Sequence, residues 1–270
     1  MKESIQNVRS YYDENAQKEW QRLEEHPFEF LFTTFMMEKY IHPGDTVLDI
    51  GGGPGRYAIH FASMGCPVTL VDLSPGSVAL AEEKAGERGV PLRAMAANCL
   101  DLETLDLGQY DHVFLMGPLY HLIQEADREE AVRLALRRLK PGGVFYCSFI
   151  LDFAAIIYDM KNGPGILPLD LQNPDSQRLI DCVQSGECYE GPAFTHACFY
   201  NQRKIEPFLA PFGLEKLSLF GQEGILAPNE KQILSYPEEE RAMWIETAKK
   251  FLEIPELLSY SEHAMYIGRK

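Results

Sequence analysis

Apolar positions along this chain switch between two periods, and the switching predicts the fold. Val47, Leu48 and Ile50, then Val68 to Val71 (VTLV), Leu92 to Ala96, Tyr110 to Met116 (YDHVFLM) and Val144 to Ile150 are short apolar runs bounded by turn residues, and read as buried strands. Helical spacing fills the gaps at 56–64, 76–88 and the stretch to Leu139, where Asp127 is the expected cap. In 76–88 Val78, Leu80 and Ala81 face a sheet while Glu82, Glu83 and Lys84 face water. Ser74 before Pro75 is its expected N-cap. Strand and helix alternating up to residue 150 give an α/β fold, a parallel sheet with right-handed crossovers and helices on both faces.

The flanks depart from that rhythm. Residues 4 to 40 read as helical and rich in Phe, Tyr and Trp, broken at Pro27, because a proline inside a helix loses a hydrogen bond and clashes with the preceding turn. Residues 151–200 carry NGPG, Pro168, Pro174 and Gly191-Pro192, with helical stretches around 152–160 and 175–185. This is too long for an ordinary connection and reads as a cap or insertion. A helix at 202–211, a strand at 214–221, two acidic helices near 230–257 and a last strand, Ala264 to Gly268, then complete the sheet. The expected organisation is 1–42 helical prefix, 43–150 core, 151–200 cap and 201–270 completion of the core sheet.

The chemistry concentrates where the first strand ends. Gly51, Gly52, Gly53, Pro54 and Gly55 turn the chain sharply from strand to helix. Glycine allows positive φ and lets a ligand lie against bare peptide groups, while the free amides of the next helix point into the same space. The spacing is G-x-G-x-G, so the third glycine comes one residue too early for the dinucleotide fingerprint. Asp72 stands at the carboxyl end of the second strand, where an acidic side chain can accept both hydroxyls of a ribose.

With VLDIGGGPGRYAIHFA followed by VTLVDLSP, the chain resembles the class I S-adenosylmethionine-dependent methyltransferases of small-molecule type. The resemblance implies a Rossmann-like sheet of seven strands, the last antiparallel, and S-adenosyl-L-methionine as cofactor. It implies that Gly51, Gly53 and Gly55, with Asp49 and Leu73, line the cofactor's methionine and ribose, and that Asp72 holds the ribose. Asn98 and Cys99 match the pair that meets the adenine, with Asp101 an alternative acid and Asn98 alternatively a plain turn residue. Met116 would contribute backbone contacts at the end of the fourth strand. The YYDENA segment resembles the helical lids of this family, with Tyr11 against the ligand. Arg22 could reach a carboxylate from the same helix.

Catalytic candidates sit near the methyl-transfer position that the resemblance implies. Gly117-Pro118 turns the chain so that Tyr120 walls the pocket and His121, which titrates near neutral pH, could take a proton from an acceptor. His196, re-entering with Thr195 and Tyr200, is a second candidate base, and each histidine has an alternative as a structural residue. A sulfonium methyl is already activated, so alignment of an acceptor is the main requirement and a catalytic triad is not needed. No His/Cys/Asp/Glu spacing reads as a metal site.

Charge narrows the partners. Net charge is −15, with 40 acidic against 25 basic residues and a pI near 4.9. A protein that holds nucleic acid needs a basic surface, so a nucleic-acid acceptor is disfavoured and a small molecule with an O, N or S acceptor is expected. Six cysteines lack C-x-x-C pairs, the N-terminus has no apolar signal segment and no run approaches membrane-spanning length. These features point to a cytoplasmic protein, monomer or homodimer, away from membranes. The rival readings are a nucleic-acid or protein methyltransferase, a catalytically silent S-adenosylmethionine-binding protein and, against the glycine spacing, an NAD-dependent oxidoreductase.

Overall fold

The computed structural model describes residues 2–162 and 173–270. Pro168 and the middle of the expected cap lie outside the described residues. Two helices open the chain, α1 (Lys2–Glu25) and α2 (Pro27–Met37), and Pro27 takes the first-turn position where its missing N–H costs nothing. The core follows as β1 (Val47–Ile50), α3 (Arg56–Ser63), β2 (Val68–Asp72), α4 (Pro75–Arg88), β3 (Arg93–Ala96), β4 (Tyr110–Leu115), α5 (Glu125–Arg137) and β5 (Leu139–Ile150). Beyond it come α6 (Ala154–Asn162), α7 (Pro174–Ser185), β6 (Tyr189–Pro192), β7 (His196–Phe199), α8 (Gln202–Leu209), β8 (Glu215–Gly221), α9 (Glu230–Leu234), α10 (Glu238–Lys249) and β9 (His263–Arg269).

Seven strands form one sheet in the order β3-β2-β1-β4-β5-β9-β8. Pairings from β3 through β5 are parallel, and β9 runs antiparallel to both β5 and β8. Successive strand residues serve opposite faces. Leu48 and Ile50 join the core that includes Ala131, Leu134 and Ala135 of α5 and Ile205 and Leu209 of α8, while Val47 joins Phe28, Phe32, Ala58 and Phe61 from α2 and α3. Both faces are covered, which is why the parallel strands are apolar almost throughout.

Strand direction matters for the site. In open α/β sheets ligands gather outside the carboxyl ends of the strands. Because β9 is antiparallel, its first residue, His263, pairs with Ile150 at the end of β5 and arrives at that edge. Gln222 and Glu223, just past β8, arrive there too, and the Gln222 N–H donates to the His263 carbonyl at 2.9 Å.

Local expectations needed two corrections. Asp127 does not cap α5: the helix starts at Glu125 with Gln124 in the cap position, and Asp127 stands in the first turn, where a carboxylate complements the helix dipole. Residues 189–199 form a two-stranded ribbon, β6 with β7. Gly191-Pro192 lies within it, tolerated because Pro192 ends a short strand that, among the described residues, has no neighbour on its outer side. Among the described residues no helix is long and apolar enough to cross a membrane.

Candidate active site

Each glycine after β1 meets a different demand. Gly51, at φ 74°, stays in the sheet's bonding pattern through its N–H to the Val71 carbonyl at 2.7 Å, and a Cβ there would lie 2.4 Å from Pro118 Cδ. Gly55, at φ 84°, lets α3 approach α4, since its Cβ would come within 2.9 Å of Ala81 Cβ. Gly53, at φ 54°, differs: a Cβ there meets nothing within 4 Å. Gly51, Gly52 and Gly53 line a pocket at the carboxyl ends of the strands, whereas Gly55 stands outside the lining and works in packing.

Asp72 ties this loop to the next strand. Its Oδ2 accepts the Gly53 N–H at 2.8 Å and its Oδ1 the Ser74 N–H at 2.9 Å. Burial raises the pKa of Asp72, and these two amides oppose the rise. Ser74 caps α4 as expected, and its hydroxyl donates to Asp13 on α1 at 2.6 Å. Asp13 also accepts the Gly76 N–H, so α1 is latched across the start of α4. Asp49 is buried beside the loop with Oδ2 unpartnered, and burial, then the nearby Asp72, push its pKa up to about 7.

Asp49, Asp72, Leu73, Asn98, Cys99 and Met116 all line the pocket. Asn98 is also a turn residue, because its Oδ1 accepts the Leu100 N–H at 3.0 Å at the head of a 3-10 turn. Burial pushes the Cys99 thiol up to about 12, leaving it an uncharged wall group. Asp101, the alternative acid, is exposed and outside the lining.

Tyr11 is the clearest misplacement. It is 37% exposed on the outer side of α1, and Tyr12 faces the pocket instead. The helical phase explains this: Ile5, Val8, Tyr12, Glu19 and Leu23 recur on one face, all line the pocket, and Tyr11 is off that stripe. Tyr12 Oη shares a 2.9 Å hydrogen bond with His121 Nε2, and Thr195 Oγ1 shares one with His121 Nδ1 at 3.1 Å. Buried Arg128 donates to the Leu122 and Ile123 carbonyls and to Glu190 of β6, fixing the loop that carries His121.

His121 therefore lies in the pocket but differs from the expected free base. Burial pushes it down to about 4, against the raising effect of the His196 backbone, and both ring nitrogens are engaged. Tyr120 is a wall residue of the same pocket. His196 is exposed at the outward position of β7 and outside the lining, away from the place expected of a base.

A polar end of the pocket escaped the sequence reading. Arg22 is engaged by Glu19 through two nitrogens, whereas Arg56 stacks 4.4 Å over Phe30 with its Nη1 buried and unpartnered. A cation at the first residue of a helix opposes the dipole, and that anomaly could have flagged Arg56. Glu29, Ser148, Gln222 and His263 share the pocket wall. Burial alone would lower His263, but the Glu223 carboxylate, 2.6 Å from its Nδ1, holds it up at about 9. Ligand atoms of Glu29, Glu223 and His263 lie within 4.8 Å of one another. These residues are far apart in sequence, so no spacing rule could have joined them.

A methyltransferase-domain family model matches residues 47–143, the stretch from β1 to the turn inside β5. Over those residues the chain is a methyltransferase domain of the class I, S-adenosylmethionine-dependent kind. A ubiquinone biosynthesis O-methyltransferase of Bordetella avium is 36% identical over 127 residues, covering 47% of this chain and 52% of that protein. The Caulobacter vibrioides protein of the same name is 33% identical over 103 residues, 38% of this chain and 40% of its own length. The chain thus spans about half or less of these relatives. The 1,6-didemethyltoxoflavin-N1-methyltransferase of Burkholderia thailandensis, solved with bound 1,6-didemethyltoxoflavin and S-adenosylhomocysteine, shares the fold at TM-score 0.59 and 17% identity, over 99% of this chain and 89% of that one.

The methyltransferase domain's cofactor fits the observed groups. Gly53 opens onto free space, Asp72 retains lone pairs after its two amide bonds, and Arg56 has an unused N–H for a carboxylate.

Proposed function

We propose that the protein transfers a methyl group from S-adenosylmethionine to a small-molecule O, N or S acceptor by in-line displacement. The observation that carries the reading is the convergence of Gly53 and Asp72 in a pocket covered by α1. Asp72 would hold the ribose, Asn98 and Cys99 the adenine edge, and Arg56 the methionine carboxylate, with Asp49, Leu73 and Met116 closing the wall. When bound, the cofactor supplies a methyl activated on a sulfonium. The chain's own contribution is then alignment and exclusion of water, which can account for several kcal/mol of a barrier.

Residues 1–42 act as a lid in this reading. The Asp13 latch on Ser74 and Gly76 and the Tyr12–His121–Thr195 chain bring α1, the loop after β4 and the β6–β7 ribbon over one opening. His121 is then a positioning residue, neutral above about pH 4 and holding Tyr12 in place. Net charge of −15 supports a small acceptor over nucleic acid. The names of the relatives favour oxygen first, and the toxoflavin enzyme keeps nitrogen in the panel.

The test is transfer of labelled methyl from S-adenosylmethionine to a panel of phenols, amines and thiols. Product with one acceptor class, lowered at limiting S-adenosylmethionine by Asp72→Ala, is the expected result. Binding of S-adenosylhomocysteine without transfer to any class would favour the catalytically silent reading.

A further inference from the structure

We propose that Glu29, Glu223 and His263 hold one divalent transition-metal cation at the polar end of the pocket. Three elements deliver the donors: α2 brings Glu29, the turn after β8 brings Glu223, and the antiparallel β9 brings His263 to the ligand edge of the sheet. Their ligand atoms lie within 4.8 Å of one another, close to the span that a shared ion requires. Two carboxylates and one imidazole, which gives up to solvent the proton it shares with Glu223 when the ion enters, form a mixed O/N set suited to Mn²⁺, Fe²⁺ or Zn²⁺, rather than the all-oxygen set that Ca²⁺ takes. Three protein ligands also leave coordination positions open toward the pocket.

An independent feature marks the same wall as built for a ligand. Gln222 is 1% exposed, lines the pocket and has an unpartnered Oε1. Its amide is oriented by a 3.0 Å bond from Nε2 to Thr33 Oγ1, one helical turn along α2 from Glu29. Ser148 on β5, 2% exposed, lines the pocket with an unpartnered Oγ. A buried polar atom without a partner is costly unless a ligand or water supplies one. A metal-bound water or the hydroxyl of an acceptor would supply the O–H that Gln222 Oε1 needs and the lone pair or O–H that Ser148 Oγ needs. Glu29 also accepts a hydrogen bond from the Tyr57 hydroxyl at 3.1 Å, the kind of outer support that orients a ligating carboxylate.

The cation site stands on these residues alone; its use in seating an acceptor oxygen rests on the methyltransferase reading. Mn²⁺ is the probe, added to the full chain and followed by loss of the free-ion electron paramagnetic resonance signal, with S-adenosylhomocysteine affinity measured in parallel. The expected result is one bound Mn²⁺ per chain, with affinity at least about tenfold weaker in Glu29→Gln and in Glu223→Gln. Glu29→Gln decides the matter if Glu223→Gln fails to fold, because its glutamine can still accept from Tyr57. No bound Mn²⁺, or undiminished affinity in folded Glu29→Gln, overturns the proposal. Binding of S-adenosylhomocysteine without Mn²⁺ removes the metal site alone, and Mn²⁺ without S-adenosylhomocysteine removes the cofactor reading alone.

Discussion

Gly53→Ala separates what the glycine loop does for folding from what it does for binding. Gly53 sits at φ 54°, and an added Cβ meets nothing within 4 Å, so the folded protein bears only the left-handed backbone penalty. That penalty is about 1–2 kcal/mol for a residue with a side chain. For a domain of this size each kcal/mol shifts Tm by about 2–4 °C, so Tm should fall by roughly 2–8 °C. Binding should suffer separately, because the new methyl group enters the space where a ligand would lie against the peptide. A loss of about 1.4 kcal/mol or more, tenfold in Kd, is expected for S-adenosylhomocysteine. Thermal unfolding and calorimetric titration of one preparation measure both quantities. A Tm shift of this size with affinity within about twofold of wild type would refute the reasoning, because the ligand would then not rest on Gly53.

Three further outcomes are expected. Asp72→Ala should weaken S-adenosylhomocysteine binding at least about tenfold and also release the Gly53 and Ser74 amides; unchanged affinity in a folded variant would take Asp72 out of the site. Asp49, held up at about 7 when folded and near 3.9 when unfolded, makes the folded state bind more protons in between. Its contribution to stability therefore falls as pH rises from about 4 to 7 and is level above, so Asp49→Asn should flatten that part of the urea-stability profile relative to wild type, and parallel profiles would contradict the assignment. His121→Ala should leave the shape of the pH–rate profile unchanged above about pH 5, since the imidazole is already neutral there; a wild-type ionisation near 6.5 that disappears in the variant would restore His121 as a base.

Much of this molecule was legible because local patterns and tertiary structure agree. The apolar runs placed the core strands within a residue or two, apart from the earlier start of β5, and Ser74-Pro75 marked the start of α4. The glycine turn and Asp72 were readable because backbone freedom and a charged strand end leave residue-level marks. Aromatic content alone does not separate Tyr11 from Tyr12; the phase of α1 does, and Val8, Tyr12, Glu19 and Leu23 carry that phase in plain spacing. The β6–β7 ribbon was hidden by Gly191-Pro192, which reads as a turn. His121 could be placed in the pocket but not titrated, because its low pKa comes from burial under α1 and the β6–β7 ribbon. The group of Glu29, Gln222, Glu223 and His263 was out of reach altogether. It exists only because the last strand runs antiparallel and returns its first residue to the edge where the parallel strands end.

The most direct test of the central claim is calorimetric titration of the whole chain with S-adenosylhomocysteine and, separately, with NAD. Saturable binding of S-adenosylhomocysteine alone is predicted, with the glycine spacing and Asp72 as its basis. Binding of NAD alone, or of neither ligand to a folded protein, would contradict the cofactor assignment and the methyl-transfer reading built on it.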